Sequence, residues 1–213
     1  MKDSAYFVSP VSGPGPGLLV LHSWWGLTQS VKRIADRLSD HGYTVLVPDL
    51  LGGVSPKDFE AASAVLMEAS PDRLAGMTAA SARVLAEKSF PPGGPVGVVG
   101  FSMGASLGLW ASVRFPDLIS AVVAFYGAQA IDFGGASAAY QLHSVVDDPL
   151  VSDDEMAFME ATIGLAGADC ERYEYPGVGH WFMEEERDEF DLDASDLAWE
   201  RMIHFLRGTL NTD

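Results

Sequence analysis

The chain has 213 residues, 48% of them apolar and 20% charged, with 11 Phe, 6 Tyr and 5 Trp. That is ample material for a folded core and excludes intrinsic disorder as the main description. Lys plus Arg number 13 and Asp plus Glu 30, so the formal charge is −17, a field that repels phosphate backbones and anionic lipid and makes nucleic acid and membrane surfaces poor partners.

The first ten residues hold no apolar run of signal-peptide length, and no later stretch approaches the ~20 apolar residues of a membrane span. A soluble, cytoplasmic protein is expected. Cys170 is the single cysteine, so there is neither an intramolecular disulfide nor a multi-cysteine zinc site. With no repeat and no long linker, residues 1–213 are expected to form a single domain.

In chain order, Leu18 to Leu21 is a continuous apolar run of strand length, as in a parallel strand buried on both faces. The loop His22 to Leu27 follows. Thr28 reads as an N-cap for a helix carrying Val31, Ile34, Ala35 and Leu38, stopped at His41-Gly42. Tyr43 to Val47 is the next strand, and Pro56 to Ser70 and Pro71 to Lys88 are alanine-rich helical stretches that Pro71 separates. Val96 to Val99 reads as a strand and Met103 to Val113 as a helix. Ile119 to Phe125 and Ala139 to Val146 read as strands, Asp153 to Ala166 contains a helix, and the strand Glu171 to Tyr175 precedes a closing helix over about Ala194 to Arg207.

Strands alternating with helices predict an α/β fold with one doubly wound, mostly parallel sheet flanked by helices, because parallel neighbours need a crossover connection. Sites in such sheets gather at the carboxyl ends of the strands. At one of them, Gly100-Phe101-Ser102-Met103-Gly104 fits G-x-S-x-G between a strand and a helix, the context in which a serine sits exposed on a tight turn.

A serine hydroxyl needs a base. His41 and His204 fall on helices, His143 in a strand and His22 before the serine. The order Ser, then Asp or Glu, then His leaves His180, on the glycine-rich loop after the strand ending at Tyr175. The acid expected to orient it is Asp148, with Asp147 in reserve, because both directly follow an apolar strand. One oxyanion donor would be the Met103 N–H and the other an N–H of the loop Ser23-Trp24-Trp25-Gly26. Ser23, Trp25, Tyr126, Trp181 and Phe182 are the expected substrate-binding walls.

These residues resemble the dienelactone hydrolase family of the α/β-hydrolase fold. The likeness runs from His22 to Leu210 through His22-Ser23-Trp24-Trp25-Gly26-Leu27, Gly42-Tyr43 through Pro48-Asp49-Leu50, Gly100-Phe101-Ser102-Met103-Gly104, Asp148-Pro149-Leu150-Val151, Tyr175-Pro176-Gly177-Val178-Gly179-His180 and Asp196-Leu197-Ala198-Trp199. The resemblance implies a hydrolase without cofactor or metal. In it Ser102, Asp148 and His180 are catalytic, and the Trp24 and Met103 N–H groups hold the oxyanion. The short chain leaves little room for a cap domain.

Two departures from the family pattern involve three positions. The namesakes carry a cysteine nucleophile where this chain has Ser102, together with a glutamate where it has Ser23. They also carry a carboxylate-binding arginine where it has Glu184. The first pair of changes suits a serine esterase. The second puts an acidic run, Glu184 to Glu186 with Asp188 and Glu189, beside the proposed base, so the expected substrate is a small ester or lactone that is neutral or cationic rather than anionic. A thioesterase, a peptidase or a hydrolase-like small-molecule binding protein with little turnover are the alternative expectations.

Overall fold

The computed structural model describes residues 5–210. Its strands are β1 (Ala5–Val8), β2 (Gly17–Leu21), β3 (Thr44–Pro48), β4 (Val96–Phe101), β5 (Ile119–Phe125), β6 (Ala139–Val145) and β7 (Cys170–Tyr175). The helices are α1 (Gln29–Asp40), α2 (Phe59–Glu68), α3 (Pro71–Lys88), α4 (Met103–Arg114), α5 (Asp153–Leu165) and α6 (Leu192–Leu210). Strand order across the single sheet is β1-β3-β2-β4-β5-β6-β7. Only β1 runs antiparallel, against β3.

Side chains on the central strands alternate between two buried layers, as the pleat requires. Leu18, Val20, Val45, Val47, Val99 and Phe101 pack on one face with Val31, Ile34 and Leu38 of α1 and Trp199, Ile203 and Leu206 of α6. Leu19, Leu21, Leu46, Val96 and Val98 pack on the other with Leu85 of α3, Leu109 of α4 and Met159 of α5. Every residue of β2, β3 and β4 is buried, which is why these strands read as unbroken apolar runs rather than as alternating ones.

Helix boundaries follow local chemistry. The Thr28 hydroxyl accepts from the Val31 N–H to start α1, Ser70 caps α3 with Pro71 at its first position, and Ser152 with Glu155 forms a capping box at α5. The expected elements all occur, with ends displaced by a few residues; α6 is longer at both ends, Leu192 to Leu210, and α2 is shorter at both, Phe59 to Glu68. The addition is β1, four residues on the sheet edge whose existence depends on pairing with β3.

From β2 the chain crosses to β3 on one side and then, through α2 and α3, to β4 on the other. That reversal opens a crevice at the carboxyl ends of β2 and β4, the place where open α/β sheets hold ligands. Among the described residues, no helix is long and apolar enough to cross a membrane.

Candidate active site

Ser102 stands at the end of β4 with φ 51° and ψ −114°, in the left-handed half of backbone space that a residue bearing a Cβ avoids. The motif glycines allow this turn. A Cβ at Gly100 would come within 2.6 Å of the Ala105 backbone, and one at Gly104 would collide with the Leu21 carbonyl. Glycine at both positions therefore lets α4 start directly above β4 and against β2, with the Ser102 side chain raised out of the turn.

His180 meets that side chain: its Nε2 lies 2.8 Å from Ser102 Oγ, and its Nδ1 lies 2.7 Å from Asp148 Oδ2. A carboxylate only accepts, so Nδ1 carries the proton and Nε2 is free to accept from the serine hydroxyl. The other oxygen, Asp148 Oδ1, accepts from the Leu150 N–H at 2.9 Å, which fixes the carboxylate plane. Both His180 and Asp148 are buried. Asp147, the reserve choice, is exposed and has φ 58°; it forms the turn that carries Asp148 to the histidine.

Met103 is the first residue of α4, so its N–H has no acceptor within the helix. The facing loop is braced from behind by His22. This buried imidazole accepts from the Leu50 N–H at Nε2, 3.0 Å, and so donates through Nδ1 to the Ser23 carbonyl, 2.6 Å. Burial pushes its pKa below the usual histidine range, which keeps the ring neutral and able to do both. The Ser23 carbonyl also accepts from the Gly26 N–H. The Ser23–Trp24 peptide, whose N–H is the expected second oxyanion donor, is held by these bonds.

A cavity of about 220 Å³ opens over Ser102 and His180, lined by Trp24, Leu66, Met103, Ser106, Tyr126, Gly127, Leu150 and Val151. Of the expected walls, Tyr126 is in place. Trp25, Trp181 and Phe182 stand one layer back: Trp181 stacks on Trp24 at 5.7 Å, Trp25 meets Trp24 edge-on at 5.8 Å, and Phe182 packs against Tyr126 at 5.6 Å. Bulky aromatic rings fill the interior behind the loop, so they support the wall instead of forming it. Leu66, on α2, had no local motif to mark it; Leu150 and Val151 lie in the segment that follows Asp148.

The family model for the dienelactone hydrolase family matches residues 4–210. The chain belongs to the dienelactone hydrolase family. It is 30% identical over 217 residues to Protein usf of Aquifex pyrophilus, spanning 97% of this chain and 94% of that one. Among solved structures it superposes on a dienelactone hydrolase-like promiscuous phosphotriesterase from metagenomic libraries with a TM-score of 0.82 at 22% identity, over 96% and 92% of the two chains. It also superposes on the dienelactone hydrolase of Anabaena variabilis with a TM-score of 0.67 at 19% identity, over 97% and 91%. At these identities the structures speak to the fold, which is that of the α/β hydrolases.

For this dienelactone hydrolase family member, the expectation that Glu184 lends charge to the site entrance is corrected. Glu184 is 2% exposed. Its Oε2 accepts from Ser23 Oγ at 2.9 Å and its Oε1 from the Tyr126 hydroxyl at 3.3 Å. The same contact takes Ser23 out of the substrate wall, because its hydroxyl is turned inward to the carboxylate. Burial, only partly offset by these bonds and by Arg187, pushes the Glu184 pKa up to about 7. The exposed acids beside it are partly answered: Arg33 pairs with Glu185 at 2.7 Å, and Glu186 accepts from the Ser30 N–H at 3.1 Å. Sequence pattern gave no warning of this, because three consecutive glutamates read as one solvated run.

Proposed function

We propose that this chain is a serine hydrolase that cleaves a small, neutral carboxylic ester or lactone through an acyl-enzyme on Ser102. The observation that carries the reading is the pair of short contacts that line up Ser102 Oγ, His180 and Asp148, 2.8 and 2.7 Å. In the first half-reaction Ser102 Oγ bonds to the acyl carbon while its proton moves to His180 Nε2, and the carbonyl electron pair becomes an oxyanion held by the Met103 and Trp24 N–H groups. The oxyanion collapses, the C–O bond to the leaving group breaks, and the imidazolium gives its proton to the departing oxygen. Water repeats the sequence with His180 as base, and Ser102 leaves as the restored hydroxyl. Asp148 stabilises the imidazolium without taking its proton.

Substrate class follows from the cavity. At about 220 Å³ it is below the roughly 300–1,000 Å³ of drug-sized ligand sites, which favours a short acyl group. Its lining holds Trp24, Leu66, Met103, Leu150 and Val151 and, among the described residues, no Lys or Arg, so no fixed cation there would pair with a carboxylate on the substrate. Steady-state kinetics on matched short esters with and without a carboxylate test the reading. A higher kcat/KM for the neutral member is expected, and a preference for the anionic one would contradict it.

A further inference from the structure

Glu184 is a buried acid that the triad does not use, yet it touches both halves of the site. Through Ser23 Oγ it reaches the loop that carries the Trp24 N–H; the same Oγ accepts from the Trp25 N–H at 3.4 Å. Through the Tyr126 hydroxyl it reaches the ring that lies 4.9 Å from the His180 imidazole. Tyr126 itself has φ 41° and donates its N–H to the His143 carbonyl at 2.7 Å, so the phenol is fixed from its backbone as well as its hydroxyl.

We infer that Glu184 is a positioning residue that, as a carboxylate, holds the oxyanion loop and the Tyr126–His180 wall in register, and that protonating it loosens both and slows the reaction at Ser102. The argument is one of donors and acceptors. Ser23 Oγ–H and Tyr126 O–H are donors, and an ionised carboxylate accepts from both. A protonated Glu184 brings a third hydroxyl proton into a closed cluster, so one of the two bonds must reverse and a buried donor must lose its acceptor. Burial raises the Tyr126 pKa well above the ordinary tyrosine value, so the phenol stays a donor throughout the working range. The charged groups facing Glu184 are few: Arg187 favours its ionised form and Glu186 opposes it, while Glu186 is itself engaged by Ser30 and, more distantly, Arg33.

This inference rests on Ser102 as nucleophile, and one experiment separates the two. The rate constant for covalent labelling of Ser102 by a small alkyl phosphonate fluoride is measured from about pH 5 to about pH 9, with the site of label read by mass spectrometry. In the wild-type chain the acid limb should be steeper than one ionisation allows, because neutral His180 and ionised Glu184 are both required. In Glu184→Gln the limb should relax to a slope of one, and the plateau should drop roughly tenfold, less than the loss of a whole oxyanion donor. Tyr126→Phe removes one bond to the carboxylate and should move the limb to higher pH, so it tests the same point even if Glu184→Gln does not fold. A wild-type limb of slope one, or a Glu184→Gln profile that is the wild-type curve scaled down without change of shape, would overturn the role of Glu184 alone. No label on wild-type Ser102 would overturn the nucleophile assignment and this inference with it.

Discussion

Ser23 Oγ donates to Glu184 Oε2 over 2.9 Å, joining the loop after β2 to the loop after β7 across 161 positions of sequence. The bond replaces what two separate sequence departures, read one at a time, suggested. Ser23 and Glu184 are two ends of one buried contact.

Glu184 carries a stability signature. Its folded pKa of about 7 lies above its ordinary value of 4.5, so between those pH values the folded chain keeps a proton that the unfolded chain has released. Stability contributed by this group is therefore full below about pH 4.5, falls as pH rises toward 7 and is level above it, by about 3 kcal/mol in all. Glu184→Gln cannot titrate. Urea denaturation of both chains at several pH values should show the wild type losing ground to the variant between those limits, and parallel curves would contradict the assignment.

His143 on β6 has the opposite sign. Its Nδ1 contacts the Tyr175 hydroxyl at 2.7 Å and its Nε2 contacts Gln141 Oε1 at 2.9 Å, and burial pushes its pKa down to about 3. Below about pH 6.5 the unfolded chain takes up a proton that the folded chain refuses, so stability drops as pH falls from there toward 3, by up to roughly 5 kcal/mol. His143→Gln should flatten this acid limb in denaturation experiments. An unchanged slope would show that another group sets it.

Asp148 and Asp147 separate cleanly. Asp148→Asn removes the acceptor that fixes the His180 tautomer and should lower kcat on a short p-nitrophenyl ester by about 10⁴ with the fold intact. Asp147→Asn should stay near wild type, since Asn tolerates the left-handed conformation that φ 58° imposes there. Equal losses in the two variants would mean that the turn as a whole, rather than the Asp148 carboxylate, is what matters.

His22 braces the loop that carries the proposed oxyanion donor, the Trp24 N–H. His22→Ala leaves the Leu50 N–H and one of the bonds to the Ser23 carbonyl unmade, which should cost about 1–3 kcal/mol of stability for a buried orphan. It should also lower kcat by up to ~10², the scale of one oxyanion donor. Loss of stability with unchanged kcat would confine His22 to a structural role.

The sheet was legible because its central strands are unbroken apolar runs and its crossovers carry caps, and the elbow because two glycines bracket a serine at a strand end. Asp148 and His180 followed from chain order. What sequence could not show were relationships between loops: that Glu184 is buried while Glu185 is exposed, and that Leu66 reaches the cavity from α2. The edge strand β1 was also hidden, since four residues without a neighbour carry no periodic signal. Each of these depends on packing between distant segments.

The most direct test of the account is the mass of the intact protein after exposure to a fluorophosphonate. The wild-type chain should gain one phosphonyl increment on Ser102, Ser102→Ala should gain none, and His180→Ala should react at least a thousandfold more slowly, by about the scale of losing a triad base. Full-rate labelling of His180→Ala, or an unlabelled wild-type chain, would contradict it.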